Sequence, residues 1–207
     1  MNRAALTTRP FLFLIPAVLA ACAMSPKVDN AALPEAVRVP AGHVQSGHTT
    51  TSGGQITYEC RAKKDMADQF EWAFVGPVAA LQMGNQVVGK YHGGPTWESN
   101  DGSKVTGKQV AVAPGAAGAI PLQLVKANPA MGEGAMQGIS YIQRLNTQGG
   151  VAPALPCGAA QAGQRQIVGQ IGNAVYFHTG RRFQFIHGND RAGHDFHDTR
   201  LDVDGDG

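Results

Sequence analysis

The chain has 207 residues, of which 43% are hydrophobic and 15% are charged, and its formal net charge at pH 7 is +2. A composition of this kind is typical of a globular protein with one packed core rather than of a disordered or fibrous chain. The small net charge argues against a partner held through a strongly basic face.

The first 21 residues predict an export signal. Arg3 and Arg9 precede an apolar run from Phe11 to Ala20, which is the order of a signal peptide. The run is about ten residues long, whereas a membrane-spanning helix needs roughly 20. Removing residues 1–21 leaves 15 basic and 15 acidic residues. We therefore expect no nucleic-acid partner, since binding to phosphates depends on a basic surface.

The sequence Leu19-Ala20-Ala21-Cys22 resembles the lipobox of bacterial lipoproteins. The resemblance implies that Cys22 is lipidated and becomes the first residue of the mature protein, anchored by acyl chains whose burial makes attachment stable. Met24 and Ser25 follow instead of Asp, which by the same resemblance implies sorting to the outer membrane. The alternative is an ordinary signal peptide with cleavage near Ala21 and a free Cys22.

We divide the mature chain into a tether over residues 22–39, a β domain over 40–177 and a polar tail over 178–207. The tether contains Pro, Ala and scattered charges without helical or strand periodicity. Cys60 and Cys157 are the two cysteines of the domain, and an even pair in an exported protein predicts one disulfide. Two buried free thiols are the alternative.

Short apolar or alternating runs, separated by Gly, Pro and Asn/Asp, predict an all-β fold of the sandwich or barrel type with glycine-rich loops. The predicted strands are Gln55–Cys60, Phe70–Val75, Val78–Met83, Gln86–His92, Lys104–Ala113, Pro121–Val125, Ile139–Leu145, and Ile167–Val168 with Ala174–Phe177. Gly84-Asn85 and Asn100-Asp101-Gly102 predict hairpin turns. A short helix is possible over Cys157–Gln164.

Several motifs in the same order resemble the family known as domain of unknown function 3455. They are Gly54–Cys60, Trp72, Gly89–Glu98, Asp101–Ser103, Gly107, Ile120-Pro121, Leu124, Lys126-Ala127, Ile142–Thr147, Gly149-Gly150 and Cys157. The resemblance covers roughly residues 38–177 and implies a secreted or periplasmic β-rich domain of bacteria and fungi with no established activity. The closing aromatic strand of the family is only partly matched by Asn173–Phe177, and residues 178–207 match nothing in it.

The densest cluster of unusual residues surrounds the corner Gly93-Gly94-Pro95. The ligand-binding candidates there are Tyr91, His92, Thr96, Trp97 and Glu98. Aromatic faces, a titratable group and a backbone open to close approach are what a shallow ligand site needs. The alternative is a packing corner, in which Tyr91 and Trp97 fill the core and His92 bonds to the turn.

Catalysis is the competing interpretation of the same corner. His92 could act as acid or base with Glu98 or Asp101, and Ser103 could complete a triad with His92 and Asp101. The nucleophile-elbow motif GxSxG is missing, because Gly138-Ile139-Ser140-Tyr141-Ile142 lacks the second glycine.

The tail after residue 177 is rich in His, Asp, Arg and Gly, and we expect it to be disordered. We predict no cofactor and no metal site. The leading hypothesis is an outer-membrane lipoprotein whose domain binds a small molecule, glycan or protein without catalysis. The alternatives are an envelope hydrolase using His92 and a structural envelope component.

Overall fold

The computed structural model describes residues 26–179. The strands are β1 (His43–Lys63), β2 (Met66–Met83), β3 (Gln86–His92), β4 (Thr96–Ser99), β5 (Lys104–Ala113), β6 (Leu122–Ala127), β7 (Ile139–Gly149) and β8 (Arg165–Thr179). Three 3-10 turns, Asn30–Ala32, Glu35–Val37 and Ala159–Gln161, complete the described secondary structure. No helix within residues 26–179 has the length and apolar character of a membrane span.

The eight strands form one closed antiparallel barrel. Each strand pairs with the next along the chain, and β8 pairs back onto β1, where Thr49 lies opposite Ala174 and Ile56 opposite Val168. The prediction of an all-β sandwich or barrel is thus confirmed, and the β1–β8 pairing makes the fold a barrel. Consecutive connections alternate between the two ends of such a barrel.

The turns that separate the strands agree with the sequence. Gly84 has φ +59° between β2 and β3, and Gly102 has φ +88° between β4 and β5. Residues with a Cβ rarely adopt this left-handed region, which is why glycine occupies these turns. Two of the predicted strands, β3 and β5, have the expected bounds, whereas β4 was not predicted.

The inner face of the barrel carries the main core. Leu81, Trp97, Val105, Val125, Met136, Ile139, Ile142, Ala174 and Tyr176 form one buried cluster. Met136 belongs to the connection between β6 and β7, and only 3% of it is exposed. This connection therefore folds back and closes one end of the barrel with an apolar side chain.

The outer face of β6, β7 and β8 is covered by residues 26–39, which we call the strap. Val37 and Val39 of the strap are buried against Leu124, Val175 and other apolar side chains of these strands. The Gln143 side chain on β7 donates from Nε2 to the Val37 carbonyl at 2.6 Å.

The strap differs from the tether expected over residues 22–39. Its apolar residues are irregularly spaced, so no helical or strand period marks them, yet side chains without a regular period can still pack on a sheet. Residues 22–25 lie outside the described part of the chain.

The predicted disulfide is confirmed: Cys60 on β1 is bonded to Cys157 in the connection between β7 and β8. We call residues 150–164 the clamped loop. It is also held by the Trp72 indole, whose Nε1 donates to the Leu155 carbonyl at 2.9 Å. Two backbone hydrogen bonds join Cys60 to Gly163 and Gln164, each at 2.9 Å. The loop thus lies at the end of the barrel opposite Met136.

The sequence expectations for the signal peptide, for Cys22 and for residues 180–207 lie outside the part of the chain that the structure describes.

The strand β8 continues through His178, which is 2% exposed, to Thr179, two residues beyond the expected boundary of the domain. The possible helix over Cys157–Gln164 is the single 3-10 turn Ala159–Gln161.

Candidate functional site

The hairpin of β3 and β4 divides the five candidate residues of the corner between two faces. Tyr91 pairs with Trp97, and His92 pairs with Thr96. Because side chains alternate along a strand, Tyr91 and Trp97 share the inner face while His92 and Glu98 point outward. The Tyr91 and Trp97 rings lie 5.0 Å apart with planes tilted by 34°. The sequence cluster is therefore two separate environments.

On the outer face, Glu98 makes an ion pair with Lys90 and a hydrogen bond with His92. Its carboxylate lies 3.2 Å from Nζ of Lys90 and 3.4 Å from Nε2 of His92. Hydrogen bonds from Lys90 and then His92 lower the pKa of Glu98 below its ordinary value. A carboxyl that acts as an acid near neutral pH needs a raised pKa. The geometry is thus that of a solvent-exposed charge cluster, whose energetic value is small.

Thr96 is buried at the start of β4 and serves the turn. Its hydroxyl donates to the Gly93 carbonyl at 3.3 Å. Gly94, with φ +88°, takes the left-handed conformation that this tight corner requires. Thr96 therefore holds the hairpin end in place.

Asp101 and Ser103 hold the loop that closes the barrel at the Met136 end. The Asp101 carboxylate accepts hydrogen bonds from the Ser103 hydroxyl at 2.6 Å and the Ala135 amide at 2.8 Å. Burial alone would raise the pKa of Asp101, but these hydrogen bonds outweigh it and lower the pKa. Ser103 is fully buried, and its Oγ accepts from the Met136 amide at 3.1 Å. Asp101 and His92 lie at opposite ends of β4, so the structure does not bring this trio together.

The inner half of the corner borders a cavity in the barrel lumen. Together with the open space at its mouth, the cavity has about 340 Å³ of empty volume, and its narrow interior has room for about one water molecule. Side chains that border it include Thr51, Tyr91, Trp97, Gln123, Arg144 and Gln170.

Arg144 on β7 supplies the positive charge of this cavity. It lies opposite Gln123 on β6 and Ala174 on β8 and shares their inner face. Its Nε and Nη2 both donate to the Pro121 carbonyl, at 3.1 and 2.8 Å. Burial lowers the pKa of the guanidinium, but arginine remains charged at all physiological pH values.

The ionisable groups whose pKa is affected by the charge of Arg144 are Tyr58 and Tyr91, and both are neutral at pH 7. Burial raises the pKa of Tyr91 and of Tyr58, and Arg144 only partly offsets that rise. Within residues 26–179, the ion pairs within 4.0 Å involve Glu59 and Glu98 and do not include Arg144. The lumen thus carries a cation without a matching carboxylate among the described residues.

Gln170 on β8 supplies a second polar group to the same cavity. It is 5% exposed, and its buried Oε1 has no hydrogen-bond partner. Glycines make room for its side chain: a Cβ on Gly54 would lie 3.0 Å from its Nε2, and one on Gly150 would lie 3.0 Å from its Cβ. An unsatisfied buried carbonyl costs about 1–3 kcal/mol unless a partner supplies a donor.

Sequence reasoning did not select Arg144 or Gln170. A charged or amide side chain within a strand usually faces solvent, and only the register shows which face it takes. The signal was nevertheless present, because Arg144 is two residues from the apolar Ile142 and therefore lies on the same face of β7. Within residues 26–179, no group of His, Cys, Asp and Glu could hold a metal ion.

The fold defines a class: small closed β-barrels of eight antiparallel strands, whose interior is either filled by side chains or holds one small ligand. Residues 82–170 match the model of a family described as a protein of unknown function (DUF3455). The family resemblance seen in the sequence is confirmed over this segment, which contains Tyr91, Trp97, Arg144 and Gln170. Searches of curated proteins and of solved structures found no significant match.

Proposed function

We propose that this protein is an exported lipoprotein, anchored in the outer membrane through Cys22, whose barrel binds a small molecule in its lumen without transforming it. The observation that carries the proposal is the lumen cavity, which is bordered by Arg144 and Gln170 together with Tyr91 and Trp97. Polar groups placed in this way, beside aromatic side chains, are typical of a small-molecule site.

The disulfide between Cys60 and Cys157 supports export, because disulfides are typical of compartments outside the cytoplasm. The signal peptide and lipid anchor follow from the sequence of residues 1–22, and they belong to this proposal.

The alternative functions receive less support from the geometry. A hydrolase based on His92 and Glu98 would have to use a carboxylate held in its ionised form by Lys90. A purely structural component would not need an open cavity beside Trp97 and Arg144. We therefore place the ligand in the lumen, at the Tyr91 and Trp97 side of the corner.

Tryptophan fluorescence can test binding in the lumen, because the chain has two tryptophans. In a Trp72→Phe variant, Trp97 is the single indole and borders the cavity. We expect at least one class of a panel of small acids, sugars and amines to change its emission saturably. The same compound should raise the unfolding free energy, by about 2.7 kcal/mol at a concentration of 100 times Kd.

The matched control is Trp97→Phe, which keeps only Trp72 at the clamped loop. Its emission should stay constant when the same compound is added. If no class of compound alters Trp97 emission or stability, the binding function is wrong and a structural role is favoured.

A further inference from the structure

The wall of the barrel is incomplete beyond the corner Gly93-Gly94-Pro95. The strands β3 and β4 have seven and four residues and meet at this corner, whereas their neighbours β2 and β5 continue past it. Among the described strands, β2 pairs only with β1 over residues 70–77, and β5 pairs only with β6 over residues 107–113. We call the gap between these two segments the notch.

Both borders of the notch are free strand edges. Within residues 26–179, no backbone hydrogen bond from a loop or turn reaches residues 70–77 or residues 107–113. On a free edge, alternate N–H and C=O groups point away from the paired neighbour and are left to water. The strands β3 and β4 separate β2 from β5 by three strand spacings, about 14 Å, and the two edges do not pair with each other.

Apolar side chains are exposed on both borders. Phe74 on β2 is 58% exposed, although it lies opposite the buried Tyr58 and shares its inward face. Val112 on β5 is 43% exposed, although it lies opposite Gln123, which borders the lumen. Inward-facing side chains of a small barrel are normally covered, so the notch explains their exposure. Exposed apolar groups beside a free edge favour contact with another chain.

The two borders carry opposite charges. The charged residues of β2 are Asp68 and Glu71, and both are acidic. The charged residues of β5 are lysines, and Lys108 lies in the notch. Arg61 on β1 lies opposite Glu71, but its guanidinium pairs with Glu59. The acidic border favours a basic partner strand, because like charges opposite each other on paired strands are unfavourable.

The directions of the strands allow two copies of the chain to cover both borders at once. Three successive antiparallel pairings separate β2 from β5, so these strands run in opposite directions. A twofold axis parallel to the barrel axis places β2 of each copy antiparallel to β5 of the other. Both pairings then join an acidic border to a basic one. Such a self-complementary arrangement is the commonest form of protein dimer.

We propose that the notch is a dimer interface, in which β2 of each copy pairs with β5 of a second copy of this chain. The proposal concerns the wall of the barrel and is independent of ligand binding in the lumen. A single extended peptide fits the notch less well, because it would lie antiparallel to one border and parallel to the other. It would also present the same charges to an acidic and a basic strand.

Sedimentation equilibrium of the mature protein, in a neutral detergent matched to the solvent density, tests the association. We expect a reversible equilibrium between the monomer mass and twice that mass. Amide hydrogen exchange in the same samples should slow within residues 70–77 and residues 107–113 as the protein concentration rises. A monomer at the highest soluble concentration would overturn the proposal, and so would a dimer in which exchange at both segments is unchanged.

Two substitutions at positions of similar exposure test whether the notch is the contact. Val110 on β5 is 55% exposed in the notch, and Ile171 on β8 is 53% exposed and lies outside it. Val110→Glu should weaken dimerisation at least about ten-fold, because symmetry places its carboxylate against the acidic border twice. Ile171→Glu should leave dimerisation unchanged. Equal effects of the two substitutions, or no effect of Val110→Glu, would contradict the proposal.

An exchange of charges distinguishes pairing between copies from a loss of folding. Glu71→Lys and Lys108→Glu should each weaken the dimer by about three- to ten-fold, because each places like charges on facing strands. The double variant has opposite charges on the two borders again and should dimerise like the wild type. Mixing the two single variants should also restore dimers, with one chain of each kind. If neither the double variant nor the mixture recovers, the pairing of β2 with β5 is wrong.

Discussion

The ionisation of Glu59 on β1 makes the unfolding free energy depend on pH. Its carboxylate lies 2.7 Å from Nε of Arg61 and 2.7 Å from Nε of Arg165. Hydrogen bonds from Arg61 and Arg165 lower the pKa of Glu59 to about 2. Since the folded state holds this carboxylate ionised, its contribution to stability is complete above the ordinary pKa of a glutamate. The contribution is lost as the pH falls from about 4.5 to about 2.

We predict that Glu59→Gln lowers the unfolding free energy at pH 7 and lowers it much less at pH 2. The physical reason is that the native carboxylate is about half protonated at pH 2, where most of its contribution to stability has been lost. Urea unfolding at pH 2, 4 and 7 would measure the difference. Glu133→Gln is a suitable control in a loop, and an equal loss at all three pH values would contradict the prediction.

The sequence predicts the residue types of the candidate site but not their arrangement on the two faces of the barrel wall. Tyr91 and Trp97 are correctly placed at one corner, but their separation from His92 and Glu98 requires the bounds of β4, a strand of four residues. Such a short strand has no measurable alternation of its own. Arg144 and Gln170 needed the register of β6, β7 and β8, which depends on pairing between distant parts of the chain.

At the scale of elements, the disulfide fixes the long hairpin of β1 and β2. These strands have 21 and 18 residues, and their far end would otherwise contact only each other. Cys60 and Trp72 instead join the hairpin to the clamped loop. The Tyr58 hydroxyl, which donates to the Gly150 carbonyl at 2.7 Å, extends the same junction toward the lumen.

We predict that the double substitution Cys60→Ala with Cys157→Ala lowers the unfolding free energy by about 2–5 kcal/mol, because it frees a loop of 97 residues in the unfolded chain. Chemical denaturation would measure this loss, and proteolysis should cut the clamped loop first. The wild-type protein treated with a thiol reductant should show the same loss of unfolding free energy and the same proteolysis of the clamped loop. A double variant as stable as the wild type would show that the strand pairing alone holds the hairpin.

Some elements could be predicted and others could not, for physical reasons. The strand β3 is bounded by Gly84-Asn85 and by Gly93-Gly94, so its turns define it. The first half of β1 carries polar residues on its inner face, such as Thr49 and Thr51, and therefore lacks the apolar alternation of a half-buried strand. The packing of the strap cannot be predicted from the sequence, because its apolar residues have no regular spacing.

In the whole molecule, the strap limits the distance between the barrel and a lipid anchor at Cys22. The Gln45 side chain donates to the Pro26 carbonyl at 2.8 Å, so the chain is attached to the barrel from Pro26 onward. Pro26 is four positions after Cys22, and a fully extended chain spans at most about 14 Å over that interval. If Cys22 carries the proposed lipid, the barrel lies close to the membrane.

We predict that Cys22→Ser transfers the protein from the membrane fraction to the soluble fraction, because the acyl chains attach through this thiol. Fractionation with immunodetection would measure the transfer. Ser25→Ala should leave the protein in the membrane fraction and serves as the control. A Cys22→Ser variant that stays with the membrane would contradict the proposed anchor.

The pairing of β1 with β8, which closes the barrel, joins the two ends of the described chain. Its contacts join residues as much as 136 positions apart, since His43 lies opposite Thr179. Contacts of such long range form late, because they first require a large loss of chain entropy. The cylinder cannot close before residue 179 has left the ribosome. If the chain is exported as proposed, the barrel therefore closes only after β8 has crossed the membrane.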